Sequence, residues 1–344
     1  MKKPKQTLAL FLALLALLAL LAGCEKEIVY GPDEDPALTP DAYAEILEGV
    51  GASDYDGMDD AQRRAMEDAL RRKGFLPEDV TLPPAGETVP IVKATTMPAG
   101  VQVKPSEVYP HVKAVQDIFN SGTFYLKGRG ASPLGIGSGG YAPMVIAVNK
   151  DKVMAETEVD WLAMMKAGAQ QGDAGMSTVQ GAIFQTTFGR KFRMVFSPEG
   201  AFWAFPDNKK YINLADLAQA GASAEEQLDT SEVNNLAKEI SGMFGGHETP
   251  KDIPSSKVKV DGKEYLCGTF MGPDGKPAMR YFFLDGKFKR VEIFAQYEED
   301  NVVYEIDEFT GKVDEKLFGL SGYRAIPLAE LLKLGGGVAE LFTP

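Results

Sequence analysis

Few side chains in this sequence have the types and spacing that catalysis requires. The two histidines, His111 and His247, lie in unrelated segments, so the sequence supplies no histidine pair for a metal or for activating a nucleophile. The 49 acidic residues show no recognisable pattern and therefore give no specific signal for a catalytic carboxylate pair. We expect a protein that is not an enzyme, with no catalytic residue, no bound metal and no cofactor.

A glycine-rich stretch matches the spacing of a dinucleotide-binding loop. It contains Gly135, Gly137 and Gly140 and comes after a predicted strand. The apolar run at 144–148 then follows where that motif requires a helix, because the helix N-terminus holds the pyrophosphate. We interpret the stretch as a loop between strands.

A second short motif lies between two predicted helices, as calcium-binding loops do. Asp54, Asp56 and Gly57 align with the third, fifth and sixth positions of the EF-hand pattern. The first position is Ala52, and the twelfth, which should supply a bidentate carboxylate, is Arg63. We interpret the motif as a turn before a charged helix start.

The amino-terminal residues have the layout of a bacterial lipoprotein signal peptide. Lysines precede an apolar run at 8–22, which is shorter than the roughly 18 to 20 residues that a membrane-spanning helix needs. The sequence Leu-Ala-Gly-Cys at 21–24 resembles the lipobox, whose cysteine sulfur carries a diacylglycerol. We predict cleavage before Cys24 and a stable lipid anchor in the cell membrane, with the mature chain facing outside the cytoplasm, at the cell surface or in the periplasm. An ordinary secretory signal is the alternative.

The predicted mature chain is strongly acidic. Removing 1–23 takes away three lysines and no acidic residue, so the formal net charge moves from -13 to -16. This charge repels nucleic acid, and we expect no nucleic-acid partner. With Cys24 lipidated, Cys267 has no partner within the chain, and we predict that it is a small buried residue of a strand.

The chain divides into five regions by composition and periodicity. The hairpin among them is too short to bury a core alone, so we expect it to pack on the main domain or on a partner. The regions are a signal peptide at 1–23, a flexible tether at 24–38, a helical hairpin at 39–76, a proline-rich connector at 77–104 and a β-rich main domain at 105–344.

The main domain begins with an amphipathic helix and continues mostly as strands. A further helical insertion is predicted around 214–243. We predict strands near 123–129, 143–149, 152–158, 181–187, 190–197, 201–206, 209–213, 256–261, 263–270, 279–285, 287–297 and 301–310.

Turn chemistry and alternation indicate antiparallel pairing. The Asp-Gly pairs at 261–262 and 285–286 are two-residue hairpin signals, because glycine accepts positive φ. Polar and apolar residues alternate over 290–298, with Arg290 and Glu292 on a face that we expect to be solvated. The predicted fold class is α+β: a large curved antiparallel β-sheet, or half-barrel, of about 11 to 12 strands, with helices against its concave face and an N-terminal helical hairpin.

This order of elements resembles the outer-membrane lipoprotein carrier superfamily, the LolA/LolB-like half-barrels. The resemblance lies in Phe-Tyr-Leu-Lys at 124–127 after a helix, Lys-Glu-Tyr-Leu at 263–266 after the insertion and Asp-Gly-Lys-Phe at 285–288. The stretch at 313–324 is similar to the closing segment of lipid-anchored members of unknown role. The resemblance covers about residues 105–325, leaves the hairpin out, and implies a half-barrel that shelters lipid.

A group of apolar residues supplies the candidate ligand site. Such residues normally form a core. A widely curved sheet can also leave a recess, in which methionine and aromatic side chains adapt to an acyl chain. The candidate lining residues are Phe192, Met194, Phe196, Trp203, Tyr281 and Phe283.

These features favour a non-enzymatic, membrane-anchored lipoprotein that binds an acyl chain or another apolar small molecule outside the cytoplasm. The expected partners are the membrane, reached through the N-terminal diacylglycerol, a lipid or apolar ligand, and an envelope protein. The competing hypothesis is a surface protein-protein interaction or sensor module whose core is filled by its own side chains. An enzyme is the third, and two carboxylates converging in an open cleft would indicate it.

Overall fold

A large open β-sheet dominates the computed structural model of this chain. Thirteen strands of the described residues form one curved sheet, antiparallel except for a short parallel pair at one edge. The predicted α+β class, with a helical N-terminal part, is confirmed. The structure describes residues 40–53, 55, 57–76, 81–82, 95–131, 141–161, 179, 181, 184–215, 248–295 and 301–327.

The strands pair largely in the order of the chain. They are β1 (Val101–Gln102), β2 (Thr123–Ala131), β3 (Tyr141–Asn149), β4 (Lys152–Glu158), β5 (Lys191–Ser197), β6 (Gly200–Phe205), β7 (Lys210–Asn213), β8 (Ser255–Val260), β9 (Lys263–Met271), β10 (Pro277–Leu284), β11 (Lys287–Ile293), β12 (Val302–Thr310) and β13 (Arg324–Ala325). Their order across the sheet is β1-β8-β9-β10-β11-β12-β2-β3-β4-β5-β6-β7-β13. Two meanders therefore meet where β12 pairs with β2.

Both predicted Asp-Gly hairpins adopt the expected geometry. Asp261 and Gly262 join β8 to β9 with φ of 51° and 75°. Asp285 and Gly286 join β10 to β11 with φ of 51° and 72°. Positive φ at both central residues is characteristic of type I′ turns, whose twist matches that of the strands they connect.

The predicted strand at 181–187 is wrong, because residues 184–188 are helical. Phe184 and Phe188 are spaced one helical turn apart, and both pack into an apolar cluster with Trp161. A short apolar run is ambiguous between strand and helix when it is read by periodicity alone.

The prediction of a solvated face at β11 is also wrong. The alternation assigns the two faces of β11 correctly, but Arg290 is 7% exposed and Glu292 is 0% exposed. A segment preceding β1 lies over these side chains and hydrogen-bonds with both of them. Alternation within a strand cannot reveal a distant segment that covers its polar side.

Helix α3 (Pro105–Asn120) covers the concave face of the sheet, which we call the inner face. Its buried apolar residues are Val108, Val112, Val115 and Phe119. Gly268 on β9 permits close approach of the helix, since a Cβ there would lie 2.6 Å from Val112 Cγ2. The helix and the β2, β3 and β9 to β12 side chains beneath it form the largest apolar cluster among the described residues.

Two segments cover parts of the opposite, outer face. Residues 95–103, which we call the strap, cross it near β9 and β10, where Met97 packs on Val258, Cys267 and Phe282. The 3-10 helix Glu315–Phe318 covers it near β3 to β5, where Phe318 packs on Ala147, Met154 and Val195. Each of these sheet regions is therefore covered on both faces.

The predicted helical hairpin consists of α1 (Pro40–Val50) and α2 (Asp60–Arg72). Asp59 caps α2 by accepting the backbone N–H of Gln62 at 2.8 Å. The core of the hairpin also contains Val179, which belongs to the chain between β4 and β5. The hairpin thus packs on a residue of the main domain, as its small size led us to expect.

Several predicted features lie outside the described residues. They are the signal peptide at 1–23, Cys24 and the tether at 24–38, Asp54, Asp56, residues 77–80 and 83–94 of the connector at 77–104, Gly135, Gly137, Gly140, most of the insertion at 214–243, and His247. Among the residues that are described, none of the helices has the length and apolar character needed to cross a membrane.

Candidate functional site

All the predicted lining residues lie on the inner face. Phe192, Met194 and Phe196 alternate along β5, and Met194 stands directly opposite Trp203 on β6. Tyr281 and Phe283 lie on β10 and pack in the cluster beneath α3. The six candidate residues therefore share one face of the sheet, although β10 is not adjacent to β5 and β6.

The inner face is a continuous apolar surface from β2 to β7. One row of directly opposed residues crosses these strands and connects the regions below α3 and below Trp161. The row consists of Leu126, Ile146, Ala155, Met194, Trp203 and Ile212.

The structure divides the candidate residues between two apolar clusters. Tyr281 and Phe283 belong to the cluster beneath α3, whereas Phe192, Met194 and Trp203 belong to the cluster around Trp161. These five are at most 8% exposed, and only Phe196 of the six is partly exposed. Phe196 packs against both clusters and so occupies the seam between them.

Trp161 is the centre of the second cluster. Its ring centroid lies 5.9 Å from that of Phe184 and 6.1 Å from that of Phe192, and its Nε1–H donates to Gly189 O at 2.7 Å. The hydrogen bond satisfies the indole while the ring contributes to the apolar face. Sequence reasoning missed Trp161 because it follows β4 in a stretch with no clear period.

A buried polar pair lies beneath α3. Gln116 Nε2 donates to the Tyr281 hydroxyl at 2.8 Å, and both side chains are buried. Burial raises the pKa of the Tyr281 phenol, and the Gln116 hydrogen bond opposes this in part. Burial likewise raises the pKa of Tyr304 to about 12. Both phenols are therefore uncharged at neutral pH.

His111 and Cys267 occupy structural positions. The His111 ring on α3 lies 5.5 Å from that of Phe283. Cys267 on β9 is 0% exposed, as predicted, and burial raises the pKa of its thiol to about 11, against a smaller opposing effect of Arg280. A protonated buried thiol is a poor nucleophile. No group of three or more His, Cys, Asp or Glu within the described ranges is arranged to hold a metal ion.

The outer face carries a buried charged cluster that the sequence did not reveal. Glu292 is fully buried, and it accepts from Arg290 Nε at 2.9 Å through Oε1 and from Arg280 Nη2 through Oε2. The Arg280 guanidinium also lies 4.9 Å from the centroid of the Phe294 ring. One carboxylate thus holds two arginines in fixed positions.

The charged cluster binds the backbone of the strap. The Met97 N–H donates to Glu292 Oε1 at 2.6 Å, and Arg280 Nη2 donates to Met97 O at 2.7 Å. Arg290 Nη2 donates to Thr95 O. These are charge-assisted hydrogen bonds to an extended segment, so the outer face recognises the strap mainly through its main chain.

Taken together, the fold and these sites define an open half-barrel with an apolar inner face and a charged outer cluster. No protein-family model matches the chain, and no curated protein matches it. Among solved structures, the chain is similar to an uncharacterized conserved protein from Thermus thermophilus, with 8% sequence identity and a TM-score of 0.27. The match covers 62% of this chain and 97% of that one.

Proposed function

We propose that this protein is a membrane-anchored, extracytoplasmic lipoprotein whose half-barrel binds an acyl chain without catalysing a reaction. The observation that carries the proposal is the continuous apolar inner face, in which two aromatic-rich clusters meet at Phe196. An elongated hydrocarbon tail suits such a seam better than a compact polar metabolite does, because no charged group is needed to orient it.

Two sequence features support the same proposal. The lipobox-like sequence ending at Cys24 supports a lipid anchor, which would hold the domain beside a membrane, where acyl chains are the most abundant apolar ligands. The order of helix, strands and insertion resembles the LolA/LolB-like half-barrels, for which sheltering lipid is the implied role. We therefore propose the partly exposed Phe196 as the point of entry, with Met194 and Trp203 beside it.

Binding of a fluorescent fatty acid to the purified protein tests the proposal, together with native mass spectrometry of protein prepared without detergent. We expect Phe196→Glu to weaken binding by about tenfold or more, because a carboxylate would face the hydrocarbon tail. The matched control is Phe202→Glu, on the adjacent strand but packed on the outer face, which should bind normally. Failure of the unsubstituted protein to carry or take up any lipid would overturn the proposal.

The second candidate is a protein-protein interaction or sensor module. The observation in its favour is that five of the six candidate residues are at most 8% exposed, so the protein's own side chains fill much of the inner face. Crosslinking in cells separates the two: a protein partner captured at outer-face positions, with no lipid bound, favours this module.

A further inference from the structure

The strap passes from one face of the sheet to the other. Met97 lies on the outer face, and β1 forms the edge of the sheet by pairing with β8, with Val101 opposite Lys257. Val103 then packs against the cluster beneath α3, and its N–H donates to Ser255 O at 3.1 Å. The strap thus goes around the edge of the sheet and leads directly into the first turn of α3.

The passage around the edge leaves no space for a side chain at Gly100. A Cβ at this position would lie 2.3 Å from Lys257 O and 2.8 Å from Val258 Cγ2. Because the nearest atom belongs to the backbone of β8, it cannot move aside without disturbing the sheet. Any residue larger than glycine at 100 would force the strap away from the edge.

The two ends of α3 are held in different ways. At its C-terminal end Phe119 packs with Phe124 and Phe309, at centroid distances of 4.9 Å and 4.8 Å, and the chain enters β2 at once through Gly122. At its N-terminal end Val108 and Val112 pack on Gly268, beside Ile253. The strap leads directly into this end, and its backbone is held by the charged cluster and by the hydrogen bond from Val103 to Ser255.

We propose that the strap is a latch, and that its docking on Arg280, Arg290 and Glu292 holds the N-terminal end of α3 against the inner face. Releasing the strap allows α3 to swing away about the Ser121–Gly122 turn. Movement of α3 uncovers the surface around Gly268 and Tyr281. The part of this inference that concerns ligand entry rests on the function proposed above, whereas the mechanical coupling does not.

Gly100→Ala in the full mature chain tests the latch, with Gly319→Ala as the matched control. Gly319 also lies in a segment of the outer face, but the nearest atom to a Cβ there is at an ordinary 3.6 Å. The first measurement is the rate at which a thiol reagent modifies Cys267, which Met97 covers. We expect about a tenfold rise for Gly100→Ala and no change for Gly319→Ala.

Hydrogen exchange by mass spectrometry measures the coupling between strap and helix. In Gly100→Ala the amides of residues 95–103 and of α3 should exchange faster by a similar factor, while those of β2 and β3 keep their rates. Met97→Ala removes the apolar contact of the strap, and it should also raise the exchange rates of the strap and of α3. Its control is Leu317→Ala, a partly buried residue of the other outer segment.

Three outcomes would overturn the latch. The first is faster hydrogen exchange in the strap with unchanged exchange in α3, and the second is faster exchange throughout the sheet. The third is no change in the modification rate of Cys267 or in the exchange rates of α3. Fatty-acid uptake distinguishes failure of the latch from failure of the proposed function. If the strap and α3 are released together but no fatty acid is taken up, the latch is supported and the proposed function is contradicted. If the unsubstituted protein and Gly100→Ala take up fatty acid equally and α3 is not released with the strap, the proposed function is supported and the latch is contradicted.

Discussion

At the scale of single residues, the clearest feature is a carboxylate buried between two guanidinium groups. Glu292 is fully buried, and it touches Arg280, Arg290 and the N–H of Met97. Desolvating three charges is costly, and their mutual attraction offsets that cost only while the set is complete. The cluster therefore specifies where the strap docks, more than it adds net stability.

We expect Glu292→Gln to lower the free energy of unfolding by about 3 to 5 kcal/mol, because it removes the buried counter-charge of Arg280 and leaves Arg290 with only the more exposed Glu305. Urea denaturation measures the change. Glu305→Gln is the control: its side chain is 51% exposed and lies 3.4 Å from Arg290, so it should cost less than about 1 kcal/mol. Equal losses of unfolding free energy in Glu292→Gln and Glu305→Gln would contradict the assignment of Glu292 as the main counter-charge of the cluster.

Buried phenols make stability sensitive to alkaline pH. Burial raises the pKa of Tyr304 from 10.0 to about 12, so the folded state holds its proton after the unfolded state has lost it. The stabilising contribution is complete below pH 10 and is lost as the pH rises toward 12, at up to roughly 1.4 kcal/mol per pH unit. Tyr304→Phe should flatten this decline, and Tyr323→Phe, at a more exposed site, should not. Unfolding measured from pH 8 to 12 gives the slopes.

At the scale of elements, local chemistry predicted most of the strands and both type I′ turns. Asp-Gly pairs determine those turns through their backbone preferences, and the strand run at 152–158 coincides with β4. The helical residues at 184–188 were misassigned because their apolar run is short. The strap lies within the connector predicted at 77–104, but its docking on the sheet was not predicted, since that depends on hydrogen bonds from its backbone to side chains almost two hundred positions away.

The contact between α3 and β9 provides a test at this scale. Gly268→Ala places a methyl group 2.6 Å from Val112 Cγ2, so we expect a loss of about 1 to 3 kcal/mol through overpacking. Combining it with Val112→Ala should recover part of that loss, which gives a favourable interaction energy of about 1 kcal/mol in a double-mutant cycle. Strict additivity in urea unfolding would show that the helix does not rest on this glycine.

At the scale of the whole molecule, the sequence predicted the fold class and the inner face but not how that face is filled. Phe192 on β5 and Tyr281 on β10, both candidate lining residues, do lie on one face of the sheet. It could not show that α3 and Trp161 bury them in separate clusters, because that depends on how distant segments pack. The proposed lipid anchor depends on the leader sequence and can be tested independently of the fold.

We expect Cys24→Ser to release the protein from the membrane fraction, because the serine hydroxyl cannot carry the thioether-linked diacylglycerol. Cys267→Ser provides the control: it alters the other cysteine of the chain and should leave the protein in the membrane fraction. Fractionation of cells followed by immunoblotting measures both. Retention of Cys24→Ser in the membrane fraction would contradict lipid anchoring at this residue.

The pairing of β2 with β12 has a consequence for how the chain acquires its structure. Register brings Tyr125 beside Thr310, so the centre of the sheet joins the first long strand of the domain to one of its last. Contacts between such distant residues form slowly, since a long loop must close before they contribute stability. For a chain threaded unfolded through a translocon from its amino terminus, β2 would have no β12 neighbour until nearly all the polypeptide had crossed. If the protein is exported as we propose, this late pairing would disfavour folding of the sheet at the translocon exit.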